Sequence, residues 1–269
     1  MRLTLLSISL LTATKILAQE YVINMSTATI NPSTFVLTDA EINYDPQANG
    51  YYNAPAILSS GGPAAYPAWL EVSAPKSGGG PNPDGTDTDR FEYIVCSELN
   101  VNAPAFNGVP HTQTFWLQIL ESSSEPSHQG VVVQQWWQGA GTDGQDYSPP
   151  VYVYLTKPKS KGDPWGLTFN IKNNKTGTEI WNNPIVVYAG GLYPGNWINV
   201  SVTATPGYNN NGSASIAING STVGQYQGNV GYDPYTTPGA SWTFRVKNGL
   251  YRPNGSPAMQ FGFSNITYQ

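Results

Sequence analysis

One cysteine and two histidines among 269 residues leave little scope for disulfide or soft-metal chemistry. Cys96 has no second cysteine to pair with. It ends the mostly apolar run from Phe91 to Val95, where a lone thiol is expected to be buried rather than nucleophilic. The His/Cys spacings of a zinc site are absent. Charge is scarce as well, at 11% of residues, with 12 basic against 17 acidic side chains. Such a balance excludes a broadly basic nucleic-acid surface. A local basic groove can still hold a polyanion, because the walls of a cleft focus its field. Long apolar runs are missing too. Leu3 to Leu11 is too short to cross a bilayer, and no other stretch approaches the ~20 residues a membrane helix needs. Placed after Met1-Arg2 and before small residues ending at Ala18, that run reads as a secretory leader over residues 1–18, although Lys15 sits late in it. Gln19 or Glu20 then begins the mature chain, so the N-terminal histidine of a copper monooxygenase is not expected.

What the chain has in quantity is glycine, proline, tyrosine and tryptophan, set between short apolar runs. No amphipathic helix pattern is present, and turn residues recur at strand spacing. Strands are expected at 68–73, 90–98, 113–120, 130–137, 151–156, 165–171, 185–188, 196–205, 213–218, 241–246 and 260–268. Residues 44–89 are turn-rich and read as a meandering surface region. With no second composition regime and no repeat, residues 19–269 are expected to form one all-β domain, a two-sheet antiparallel sandwich of jelly-roll type. A monomer is expected. The cluster Lys157-Pro158-Lys159-Ser160-Lys161-Gly162 reads as a solvated hairpin tip.

One late stretch carries distinctive chemistry: Phe244-Arg245-Val246-Lys247-Asn248-Gly249-Leu250-Tyr251. If it is extended, Lys247, Gly249 and Tyr251 share one face, and Arg245 joins them provided no bulge intervenes. A lysine, a gap and a phenol suit an anionic ligand lying across a sheet. An edge-strand tyrosine beside a solvated lysine is the plainer alternative. Carboxylates are poorly placed for glycoside hydrolysis, which needs two of them ~5–9.5 Å apart. Glu92 and Glu98 share a strand face at ~20 Å, while Glu121, Glu125 and Glu179 lie near turns.

Lys-x-Gly-apolar-Tyr on a late strand resembles the signature strand of the jelly-roll polysaccharide lyases, which include alginate lyases, heparin lyase I and fungal glucuronan lyases. That family pairs it with a strand running through apolar residues into a glutamine, with a histidine two residues on. Val131-Val132-Val133-Gln134-Gln135-Trp136-Trp137-Gln138 is similar but has a tryptophan at the histidine position. The resemblance runs loosely from Arg90 to the C-terminus. It implies a concanavalin A-like sandwich that cleaves a uronic-acid polymer by β-elimination, glucuronan first and alginate next, with no cofactor required.

Carried over residue by residue, the resemblance implies Tyr251 as acid and base and Lys247 as its companion on the strand. Gln135 would contact the substrate carboxylate, with Gln134 as the substitute if the register shifts by one. Arg90, in Asp89-Arg90-Phe91-Glu92, is similar to an early substrate-binding arginine, although an ion pair with Asp87, Asp89 or Glu92 would also account for it. His111 is the candidate for the missing histidine, on a strand expected to neighbour the glutamine strand; His128 reads as a turn residue. Lys247, Arg245 or Arg252 would supply the cation that favours the tyrosine anion. Trp136 and Trp137 point to opposite faces, so one enters the core while the other can stack on a sugar ring, and Trp137 is the substrate-binding candidate.

The competing reading is a non-catalytic carbohydrate-binding sandwich, and the absent histidine favours it. Asp84, Asp87 and Asp89 in a glycine-bearing loop are weak candidates for a structural calcium ion. Sequons begin at Asn24, Asn174, Asn199, Asn211, Asn219, Asn254 and Asn265, which suggests an extracellular glycoprotein.

Overall fold

The computed structural model describes residues 21–76, 88–100, 108–123, 130–138, 149–156, 158, 162–172, 179–186, 191–232, 243–253 and 256–269. The expected leader, Asp84, Asp87, His128, Asn174, Asn254 and most of the lysine loop fall outside the described residues.

In chain order the strands are β1 (Tyr21–Ile23), β2 (Thr29–Ile30), β3 (Leu37–Asp39), β4 (Ile42–Tyr44), β5 (Pro46–Asn49), β6 (Ala56–Leu58), β7 (Trp69–Ala74), β8 (Thr88–Asn100) and β9 (His111–Ile119). There follow β10 (Val131–Gln138), β11 (Val151–Thr156), β12 (Gly166–Lys172), β13 (Glu179–Val186), β14 (Trp197–Thr205), β15 (Gly207–Ile218), β16 (Ser221–Val230), β17 (Thr243–Pro253) and β18 (Met259–Tyr268). Among the described residues there is no helix. One sheet runs β16-β15-β14-β9-β18-β7-β6, with β1 on β18; the other runs β13-β12-β11-β10-β17-β8-β5; β2-β3-β4 form a small third sheet. Every strand pair is antiparallel, and the chain is an all-β jelly-roll sandwich.

Alternation explains how the sheets meet. In β9 every second side chain from His111 is buried and the others are half-buried, and β14 repeats the pattern. Phe115, Leu117 and Ile119 of β9 and Phe261 and Phe263 of β18 belong to the same core as Phe91 of β8, Val133 and Trp136 of β10, Phe169 of β12 and Leu250 of β17. The expected return of Phe261, Phe263 and Ile266 into the core is observed.

Residues 44–76 hold more structure than their turns suggest. Besides the expected strand, β7, which pairs with β18, β5 pairs with β8 at the edge of the second sheet and β6 pairs with β7 at the edge of the first. β16 goes unmarked in the sequence because STVGQYQGNV is polar and glycine-bearing; it closes the first sheet through a turn with Asn219 at φ 50° and Gly220 at φ 79°.

A buried ion pair ties the ends of β8 and β17 to the loops beside them. Arg252 Nε donates to Asp89 at 3.1 Å, and the guanidinium also donates to the carbonyls of Pro75 and Pro257. Asp89 accepts in turn from the Tyr51 amide at 3.0 Å. Arg252 is therefore not a cation for Tyr251, nor is the Asp89 carboxylate open to a calcium ion. Among the described residues, no group of three His, Cys, Asp or Glu side chains gathers where a metal could sit. Arg252→Met should strand a buried carboxylate and lower unfolding free energy by roughly 3–5 kcal/mol, read as a drop in the urea midpoint. A midpoint within error of the parent would mean the pair is not buried as described.

Candidate active site

The site is built on β8, β17 and β10, the adjacent central strands of the second sheet. Register places Lys247 opposite Gln135, Gly249 opposite Glu92, Tyr251 opposite Arg90, and Arg245 opposite Trp137. Cross-strand partners share a face, so these side chains all project away from the core. The choice between the two glutamines is made by a bulge in β10. Between Val132 and Gln134 the register shifts, so Val133 and Gln134 both turn inward and Gln135 turns outward beside Lys247.

Glu92 lies at the centre of the cluster with 0% of its surface exposed. Gln135 Nε2 donates to both of its carboxylate oxygens, at 2.6 and 2.7 Å, and Arg90 Nε stands 3.5 Å from Oε2. Burial pushes the Glu92 carboxyl above the usual carboxylate range, while Lys247, Arg90 and the Gln135 hydrogen bond pull it partly back. Lys247, 1% exposed, donates from Nζ to Gln47 Oε1 of β5 at 2.6 Å and lies 4.3 Å from the centre of the Trp137 ring. Arg245 stacks on the same ring at 5.3 Å. The Arg90 guanidinium lies 4.3 Å over the ring of Tyr251, while Lys247 and Arg245 lie against Trp137 and Arg252 is held by Asp89.

Gly249 is required for a reason internal to the sheet. A Cβ there would come 2.1 Å from the Phe91 carbonyl oxygen and 2.6 Å from the Glu92 Cα. The close approach that the glycine permits is that of β8, not of a ligand.

Tyr251, Gln135, Arg90, Lys247, Trp137 and Arg245 thus come together on one face, and Trp136 goes to the core as alternation requires. Two expectations fail. Gln134 points between the sheets, where its Nε2 donates to Gln113 Oε1 at 3.0 Å and Gln113 Nε2 donates to Asn248 Oδ1. His111 opens β9 in the opposite sheet, beside β14 rather than β10. Its ring is 1% exposed and stacked on Tyr268, with centroids 5.9 Å apart and an interplanar angle of 5°. It is a core histidine on the far side of the sheet from Tyr251.

Glu92 and Gln47 are the site residues missed in the sequence. For Glu92 a signal existed, since it alternates with Arg90 on one strand. Gln47 gave none, because β5 is a short edge strand in a turn-rich region.

No family model matches the chain, and no curated protein matches it. Solved structures do. An endo-β-1,4-glucuronan lyase from the fungus Trichoderma reesei superposes with a TM-score of 0.57 at 12% identity, covering 82% of this chain and 89% of that one. A double-cysteine variant of alginate lyase A1-II′ gives 0.51 at 15% identity over 93% and 94% of the two chains. Alginate lyase AlyC3 gives 0.50 at 12% over 75% and 74%. The chain has the jelly-roll fold of these polysaccharide lyases.

Burial holds the His111 imidazole below its ordinary pKa. The unfolded chain therefore binds the proton more readily than the folded one. The stability this supplies is complete above about pH 6.5 and is lost as pH falls from there through the lower folded value. Glu92 acts in the opposite sense, its raised carboxyl favouring the folded state at low pH. The difference in urea midpoints between the parent chain and His111→Gln across that pH range isolates the histidine. The variant should lose the acid-side decline, and parallel profiles would assign that decline to other groups.

Proposed function

We propose that this chain is a secreted polysaccharide lyase that cleaves a uronic-acid polymer by β-elimination, with glucuronan the first substrate and alginate the next. The observation that carries the reading is the meeting of Tyr251, Arg90, Gln135 and Lys247 on one outward face of the sheet. β-Elimination needs the uronate carboxylate neutralised so that the C5 proton can leave, and it needs a group to protonate the departing O4. Gln135 and Arg90 offer N–H donors for the carboxylate, and Lys247 adds positive charge. Trp137, half-buried beneath Lys247 and Arg245, offers a surface on which a sugar ring can stack.

With His111 in the core, Tyr251 has to serve at both ends of the reaction: its anion takes the C5 proton and the resulting phenol gives one to O4. One group can do both only when H5 and O4 lie on the same side of the ring. D-Glucuronate and D-mannuronate meet that condition, and L-guluronate, epimeric at C5, does not. This geometry supports glucuronan and mannuronate-rich alginate over guluronate blocks. Hydrolysis is less well supported, because it needs a pair of carboxylates and the described partners of Glu92 are Gln135, Arg90 and Lys247.

Purified protein should raise ultraviolet absorbance on glucuronan, since only elimination creates a conjugated double bond, and leave neutral glucans unchanged. Tyr251→Phe should lower the rate by about 10²- to 10⁴-fold with binding retained. Binding to a glycan with no absorbance rise on glucuronan, alginate or heparin-type chains would favour the carbohydrate-binding reading.

Secretion and N-glycosylation form part of the proposal. The described sequon asparagines Asn24, Asn199, Asn211, Asn219 and Asn265 all lie on or beside the eight-stranded sheet, away from the Tyr251 face. Asn24, Asn211 and Asn219 are exposed. Protein recovered from the medium of a eukaryotic host should begin after Ala18 and lose mass on endoglycosidase treatment while keeping its activity. An unglycosylated product retaining residues 1–18 would remove this part of the reading.

A further inference from the structure

The buried carboxylate at the centre of the face has no role in the reaction as set out above, although it holds the very amide that the reaction needs. Both short hydrogen bonds to Glu92 come from a single nitrogen, Gln135 Nε2, at 2.6 and 2.7 Å. Arg90 Nε is farther away at 3.5 Å, with its guanidinium on the Tyr251 ring. Lys247 Nζ is engaged with Gln47 Oε1 and faces Trp137. Neither β5, through Gln47, nor β10, through Gln135 and Trp137, brings a titratable group to Glu92; the charges that act on it are Lys247 from β17 and Arg90 from its own strand. A uronate that accepts from Gln135 Nε2 therefore takes it from a carboxyl group that is fully buried. It also sets a second negative charge beside the first, an arrangement that two carboxyl groups relieve by sharing a proton.

We infer that uronate binding is coupled to proton uptake at Glu92. As the incoming carboxylate takes over the Gln135 amide, Glu92 accepts one proton from the buffer, and the resulting O–H donates to the substrate carboxylate. This inference rests on the polyuronate reading. No bond other than the O–H is made or broken, and the buffer supplies the proton. Glu92 then serves as the third donor to the uronate, in the role that His111 cannot reach. Burial, which already raises its carboxyl, favours the exchange.

Calorimetric titration tests this directly. A β-1,4-glucuronic acid oligomer and a mannuronate oligomer are titrated into the Tyr251→Phe chain, where turnover is blocked, in buffers of different ionisation enthalpy near pH 7 and about one unit to either side. The expected result is uptake of close to one proton per bound oligomer, with affinity falling by up to about tenfold per pH unit as pH rises. Glu92→Gln in the same background carries a neutral side chain of the same shape, so it should bind with no proton exchange and a flat pH dependence. Binding without uptake, or uptake that persists with glutamine at position 92, overturns the inference. Elimination by the parent chain combined with proton-silent binding removes Glu92 alone. Absence of both binding and elimination on these polymers removes the polyuronate reading and the inference with it.

Discussion

Glu92 has no contact with water, and a carboxylate in that position has to be held by hydrogen bonds and opposite charge or the strand that carries it would not stay buried. The rest of the candidate face follows from that requirement. Gln135 must turn outward to reach both oxygens, and the β10 bulge makes it do so; in an unbroken strand alternation would send Gln134 outward and Gln135 to the core. Gly249 must lack a side chain because β8 lies against it. Arg90, two residues from Glu92 on the same face, lies at once near that carboxylate and over Tyr251, so the phenol and the buried acid share one cation.

A second polar layer lies beneath this one. Gln134 and Asn248 are the immediate chain neighbours of Gln135 and Lys247, and both are bonded to Gln113 of the opposite sheet. The sheets are thus tied together by amides directly behind the face, where aliphatic packing alone would allow the strands to slide. Side-chain amides impose a register that methyl groups do not, because their donors and acceptors must coincide. The face is stiffened from behind by side chains that no ligand on that face can reach.

Much of this could be read from the chain. Alternation along 242–251 gave the shared face of Lys247 and Tyr251, and the tryptophan pair gave one core and one outward ring. Both follow from the period-2 geometry of any strand. What could not be read was long-range or broke the period. The bulge at Val133–Gln134 has no mark in VVVQQWWQ, since two inward residues in a row look the same as an ordinary apolar-to-polar passage. Sequential strands usually pair, which would set His111 next to the glutamine strand; the chain instead crosses to the other sheet between β8 and β9. Asn219-Gly220 was visible as a sequon, yet its stronger message was a two-residue turn that requires β16 to follow. Glu92 has its partner Gln135 on another strand, and spacing along β8 gives no sign of it.

The same buried charges bear on whether the face only binds or also reacts. A sandwich that merely holds a neutral glycan needs flat rings and amides, which Trp137, Tyr251 and Gln135 would supply. Such a protein gains nothing from an enclosed lysine and glutamate, whose removal from water is expensive and whose replacement by well-packed neutral groups is often neutral or stabilising. Lys247 and Glu92 are nonetheless 1% and 0% exposed. Charges held out of water act most strongly on other charges placed beside them, because little solvent remains to screen them. A site that must compensate an anion on a sugar and move a proton next to it is the setting in which that expense has a return.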